Sequence, residues 1–118
     1  MSCTAEKITP LFQSERLQTN QTSDYKGLVI TVTGQFNLEL HRDFRKAFEA
    51  EGRNFERYAV DLRDCTGMDS AGLGMLLILR DHAGLGKDDL VISGAGSSVR
   101  QVLSFANFDQ LFTIVEAA

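Results

Sequence analysis

The chain predicts an α/β fold in which helices pack against a mostly parallel or mixed sheet of about four to five strands. Short runs rich in apolar and β-branched residues stand at Leu28–Thr33, Tyr58–Leu62 and Leu90–Ser93. Segments with apolar residues at helical spacing alternate with those runs, and glycines mark most of the boundaries. Strands separated by helices need crossover connections, which bring the strands into one sheet in parallel.

Taken in order, residues 1–24 carry the least pattern and read as an N-terminal segment. A short strand is expected around Glu15 to Thr19, before the turn-forming run Asn20-Gln21-Thr22-Ser23-Asp24. Residues 25–118 read as the domain proper. Leu28–Thr33 is a strand bounded by Gly27 and Gly34. Asn37 is placed to cap a helix, with Glu39 in its positive first turn, and Leu40, Phe44, Ala47 and Phe48 form one apolar stripe. Gly52 supplies the stop. Tyr58–Leu62 is the next strand, followed by a turn over Arg63–Met68. A helix then runs from about Ser70 to Ala83 and ends at Gly84 and Gly86. Leu90–Ser93 is a strand, and Gly94-Ala95-Gly96 turns into a helix with Val99, Val102, Leu103 and Ala106 on one face. Leu111–Val115 reads as the last strand.

The 118 residues fit one domain, and a 43% hydrophobic content with a single proline, Pro10, disfavours disorder. The longest fully apolar run, Met75–Leu79, is too short to cross a bilayer. Met1 to Gln13 has no basic start followed by an apolar stretch, so no secretory signal is expected. A net charge of −4 with interspersed acids and bases predicts no nucleic-acid footprint. Cys3 and Cys65 lie far apart, and with only His41 and His82 they assemble no zinc pattern. The expectation is an acidic cytoplasmic protein with no metal, cofactor or membrane insertion.

The informative segment is Cys65-Thr66-Gly67-Met68-Asp69-Ser70-Ala71-Gly72-Leu73-Gly74-Met75-Leu76-Leu77. It leads from a strand end through a tight loop into a helix, with Asp69 or Ser70 at the N-cap. Gly72 and Gly74 each cost the helix about 1 kcal/mol relative to alanine, which calls for a compensating reason in packing or access. A phosphate on Ser70 would bring a charge of about −1.5 to −2. It would sit at the positive end of the helix dipole, beside Asp69 and near free amides. A partner docking on the small Ser70-Ala71-Gly72 patch would then meet bulk and repulsion. The plain alternative is that Ser70 is only a helix cap.

Two catalytic motifs fall short. Gly67-Met68-Asp69-Ser70-Ala71-Gly72 approaches the hydrolase elbow G-x-S-x-G, but Met68 stands where a glycine is required. His82 lies twelve residues along the same helix, about 18 Å from Ser70 at about 1.5 Å per residue, which leaves only His41 as a base. Gly94-Ala95-Gly96-Ser97-Ser98-Val99 approaches the dinucleotide fingerprint but has Val99 at the third glycine and lacks the acidic residue beyond. The chain is read as no enzyme.

Met68-Asp69-Ser70-Ala71-Gly72-Leu73-Gly74-Met75-Leu76-Leu77 resembles the STAS domain family, and the anti-sigma factor antagonists within it. The resemblance extends to Val32-Thr33-Gly34-Gln35-Phe36-Asn37, to Tyr58-Ala59-Val60-Asp61-Leu62, to Ser98-Val99-Arg100-Gln101-Val102-Leu103 and to Phe108-Asp109-Gln110-Leu111-Phe112. It implies a bacterial partner-switching protein acting in transcription regulation, a monomer that forms heterocomplexes. Such an antagonist binds a serine-protein kinase that is also an anti-sigma factor, is released when phosphorylated, and is reset by a serine/threonine phosphatase. Carried over by position, Ser70 is the phosphorylation site. Phe36, Asn37, Asp69, Ala71, Gly72 and Leu73 form the partner-binding surface. Asn37 and Gln35 stand where the family often has aspartate and glutamate. The alternative within the resemblance is a STAS accessory subunit docking on the ATPase of a lipid-transporting ABC complex. A small serine hydrolase using Ser70 is the third reading.

Overall fold

The computed structural model describes residues 12–24, 26–49 and 55–115. Pro10, Cys3 and the helix stop at Gly52 lie outside them.

The first described elements are two antiparallel strands, β1 (Phe12–Gln13) and β2 (Leu17–Gln21), and β2 pairs antiparallel with β3 (Gly27–Val32). A short strand β4 (Gly34–Phe36) comes next, then a 3-10 turn at Leu38–Leu40 and helix α1 (His41–Glu49). After these stand β5 (Arg57–Asp61), β6 (Cys65–Met68) and α2 (Ser70–Ala83). The chain closes with β7 (Leu90–Ser93), α3 (Ser97–Phe105) and β8 (Thr113–Val115).

The main sheet has the order β1-β2-β3-β5-β7-β8, and β3, β5, β7 and β8 run parallel. The sequence therefore foresees its α/β class and its mixed sheet, and the five expected strands are β2, β3, β5, β7 and β8. The two-residue β1 adds a sixth strand at the edge. Each crossover steps one strand in the same direction, so right-handed connections put all three helices on one face.

Side chains alternate accordingly. Leu28, Ile30 and Val32 of β3, Tyr58 and Val60 of β5, and Leu90 and Ile92 of β7 are buried beneath the helices. Their neighbours Val29, Thr31, Ala59, Asp61, Val91 and Ser93 lie half-buried on the other face. The expected stripe Leu40, Phe44, Ala47 and Phe48 is buried throughout. Phe36 meets Phe44 at 5.2 Å between ring centroids, and Phe44 meets Phe48 at 5.7 Å, so an aromatic row joins β4 to α1.

Three boundaries differ from expectation. In place of a turn over Arg63–Met68, Cys65–Met68 forms β6 and pairs in parallel with β4. This pairing joins residues about thirty positions apart, which no local propensity reports. Asn37 caps the 3-10 turn that leads into α1, rather than α1 itself. The last strand begins at Thr113, because Phe108–Gln110 forms a 3-10 turn and Phe112 stacks on Phe108 at 5.7 Å.

Candidate functional site

β4 and β6 run side by side, with Phe36 opposite Met68. The two chains therefore leave their strands together, and the next residues, Asn37 and Asp69, each cap a helical turn. Asn37 Oδ1 accepts from the Glu39 amide at 3.1 Å. Asp69 Oδ1 accepts from the amides of Ala71 and Gly72 at 3.0 and 3.1 Å. Both caps hold the extended backbone that an N-cap needs. A neutral asparagine thus performs at position 37 the same capping that aspartate performs at position 69.

Ser70 is the first residue of α2 and is exposed, as is Asp69. Ala71, Leu73 and Asn37 are half-buried, whereas Phe36 and Gly72 are buried. The structure therefore gathers the sequence-predicted residues at one place but divides their roles. Phe36 and Gly72 support the surface from beneath. A Cβ on Gly72 would lie 2.6 Å from the Phe36 carbonyl oxygen and 2.7 Å from Met68 Cγ, so only glycine lets β4 sit against the first turn of α2. Gly74 is the opposite case, since a Cβ there meets nothing within 4 Å. Of the two helix-weakening glycines, Gly72 is explained by packing. Gly74 leaves open space on the outside of the helix.

The amides that follow Ser70 at the start of α2 are occupied. The Asp69 carboxylate takes those of Ala71 and Gly72, and the Asp69 carbonyl accepts from the Leu73 amide at 3.2 Å. A phosphate on Ser70 would therefore face outward, beside the Asp69 charge.

Ser70, Gly74, Leu77, Ile78 and Asp81 share the outer face of α2 at about 100° per residue. Leu77 is 42% and Ile78 36% exposed, while Met75, Leu76 and Leu79 are buried. Leu77 and Ile78 therefore stand apart from the packed residues of the same apolar run. Their spacing of seven and eight residues from Ser70 is the signal available in the sequence. Leu38, next to Asn37 in the chain, is 69% exposed.

His82 stands near the far end of α2 with its ring 4.8 Å from that of Phe48 and its Nε2 buried, and His41 opens α1. Cys65 lies under the site, where burial pushes its thiol pKa up, partly offset by backbone contacts with Gly67 and Phe36. Among the described residues no group of three or more His, Cys, Asp or Glu side chains could hold a metal ion. No described helix is long and apolar enough to cross a membrane.

The family described as "Mlab, STAS domain" matches residues 19–116. The chain belongs to the STAS domain family. A STAS-domain containing protein of Pseudomonas aeruginosa is 43% identical over 93 residues, covering 79% of this chain and 92% of that protein. Two solved structures have the same fold. The anti-sigma factor antagonist SpoIIAA, in its unphosphorylated form, has a TM-score of 0.72 at 15% identity, with 86% of this chain and 88% of that one covered. A Thermotoga maritima protein assigned as an anti-sigma factor antagonist has a TM-score of 0.70 at 19% identity, with 84% and 85% covered. This STAS domain thus shares its architecture with anti-sigma factor antagonists.

Proposed function

We propose that this STAS protein is a regulatory protein-binding module, a cytoplasmic anti-sigma factor antagonist switched by phosphorylation of Ser70. The observation that carries the reading is an exposed serine at the first position of a long helix, capped by the preceding Asp69 and set beside the Phe36–Asn37 turn. The unphosphorylated surface of Ser70, Ala71, Leu73 and Asn37 docks on a serine kinase that is also an anti-sigma factor. The Ser70 hydroxyl attacks the γ-phosphorus of the kinase's ATP, the bond to ADP breaks, and the hydroxyl proton leaves to a base of the kinase. A serine/threonine phosphatase returns the phosphate to water.

Because Asp69 already holds the amides of Ala71 and Gly72, the phosphate is not drawn deep into the first turn. The dipole of α2 favours it modestly, so the helix stays formed. Release comes from the partner side, as about two added negative charges beside a carboxylate repel a surface that fits a small neutral patch.

The test uses the wild-type protein, Ser70→Ala and Ser70→Glu, recovered from the native cells with their bound proteins. Mass mapping should find phosphate on the wild-type Ser70 peptide. Ser70→Ala should retain a kinase-like ATPase, and Ser70→Glu should bind it at least about tenfold more weakly, a difference of about 1.4 kcal/mol. Equal affinity of all three would overturn the switch.

One observation favours a second reading, constitutive docking on the ATPase of a lipid-transporting ABC complex. The apolar Leu77 and Ile78 and the open Gly74 continue the Ser70 face along α2, and that contact needs no phosphate. In that case all three Ser70 forms would co-purify with an ABC ATPase, and Leu77→Asp would abolish the association.

A further inference from the structure

The Ser70 surface rests on a weak piece of structure. β4 and β6 form a two-stranded sheet of their own, three and four residues long, and its register shifts between Gly34 and Gln35. A strand pair this short is marginal without support. Yet β4 carries the Phe36 carbonyl, which accepts from the Asp69 amide at 3.4 Å and lies against Gly72. Whatever fixes β4 therefore fixes the entry to α2.

Arg16, just before β2, reaches β4 from outside the pair. Its carbonyl accepts from the Thr33 amide at 2.8 Å, and its Nε donates back to the Thr33 carbonyl at 3.4 Å. One terminal nitrogen donates to the Gln35 carbonyl, and the other pairs with Glu39 Oε1 at 3.0 Å. The guanidinium thus spans the exit of β3, the middle of β4 and the turn that Asn37 caps. Gly34 sits at a φ of +85°, a left-handed backbone that glycine adopts without strain, and this turn leads the chain from β3 into β4 alongside Arg16.

We propose that Arg16 is a positioning residue for the docking surface, and that it gives the N-terminal segment a role in the site. Its planar fork ties β4 to the main sheet, so that Phe36 meets Asp69 and Gly72 in one fixed geometry. Glu39 is 76% exposed, so the ion pair adds little and the carbonyl contacts carry the effect. A lysine ammonium is a single point of charge and cannot reach all three acceptors as the fork does. The proposal rests on the reading of the Ser70 region as the docking surface, but the coupling belongs to the free protein and is measured there.

The experiment is amide hydrogen exchange by NMR on the full chain in the absence of any partner. It compares the wild type with Arg16→Gln, Arg16→Lys, Glu39→Gln and Arg57→Gln, the last breaking an exposed ion pair with Asp24 at the β2–β3 turn. Arg16→Gln and Arg16→Lys should both speed exchange at the Gly34 and Asp69 amides by about tenfold or more, while Glu39→Gln and Arg57→Gln stay within about twofold of wild type. Unchanged rates in Arg16→Gln would overturn the proposal, as would full rescue by lysine. Equal acceleration in Arg57→Gln or Glu39→Gln would also overturn it, pointing to general loosening or to the ion pair alone. No phosphate or partner enters the measurement, so failure of the Ser70 switch leaves this result readable.

Discussion

Gly72 and Gly74, both in the first turns of α2 after Ser70, make the clearest contrast in this STAS domain. Gly72 faces inward against the Phe36 carbonyl, a backbone atom that cannot move aside without shifting β4. Gly72→Ala should cost about 1–3 kcal/mol, the range for forcing volume into a packed site. Gly74→Ala enters open space. It should stabilise the protein by up to about 1 kcal/mol through helix propensity, and under the docking reading it should weaken partner binding. Urea titrations of both variants check the stability signs. Sequence alone shows the helix cost of both residues, but which one faces β4 depends on the β4–β6 pairing.

Among the elements, the turn between β2 and β3 is tied to β5 by Asp24. Its carboxylate accepts from the Thr22 hydroxyl at 2.6 Å and the Lys26 amide at 3.0 Å, and pairs with Arg57. The Thr22 hydroxyl, then Arg57, then the Lys26 amide hold the carboxyl well below its ordinary value of 3.8. A depressed folded pKa gives stability that is fully present above the unfolded value and lost as pH falls through the folded one. Asp24→Asn should therefore be less stable than wild type at pH 7. The difference should narrow as pH drops below about 4, where the unfolded chain takes up the proton while the folded carboxyl is still ionised. Melting temperatures across that range test it, and a constant gap would contradict it. The effect is modest because the pair is exposed. The α2 helix shows how well an element can be read from its ends. The span expected from sequence, Ser70 to Ala83, is the span found, because Asp69 caps the start and Gly84, at φ +65°, takes the left-handed turn at the stop. β6 shows the reverse, since Cys65-Thr66-Gly67-Met68 becomes a strand only through β4.

For the whole molecule, one buried cluster runs from Leu17 of β2 to Phe112 before β8 and includes residues of all three helices. Leu79 of α2 belongs to it and has no exposure. Leu79→Ala should cost about 2–5 kcal/mol through lost burial and a residual cavity. Circular dichroism and tyrosine fluorescence should report the same midpoint, because a single core unfolds as one unit. Separate midpoints would mean that the helices and the sheet melt independently.

The order of the main strands and helices, the parallel sheet and the family are legible in the sequence itself, because period, capping residues and the Asp69-Ser70-Ala71-Gly72 motif are local properties of the chain. Ser70 at the helix start is legible for the same reason. The separate β4–β6 pair, the burial of Phe36 and Gly72 beneath the surface, the exposure of Leu77 and Ile78, and the reach of Arg16 to Gln35 are not. Each is a contact or a facing set by segments far apart in sequence, and a one-residue change of register between β4 and β6 would turn the opposing side chains to other faces. Local chemistry names the elements, whereas long-range pairing determines which of their side chains a partner can touch.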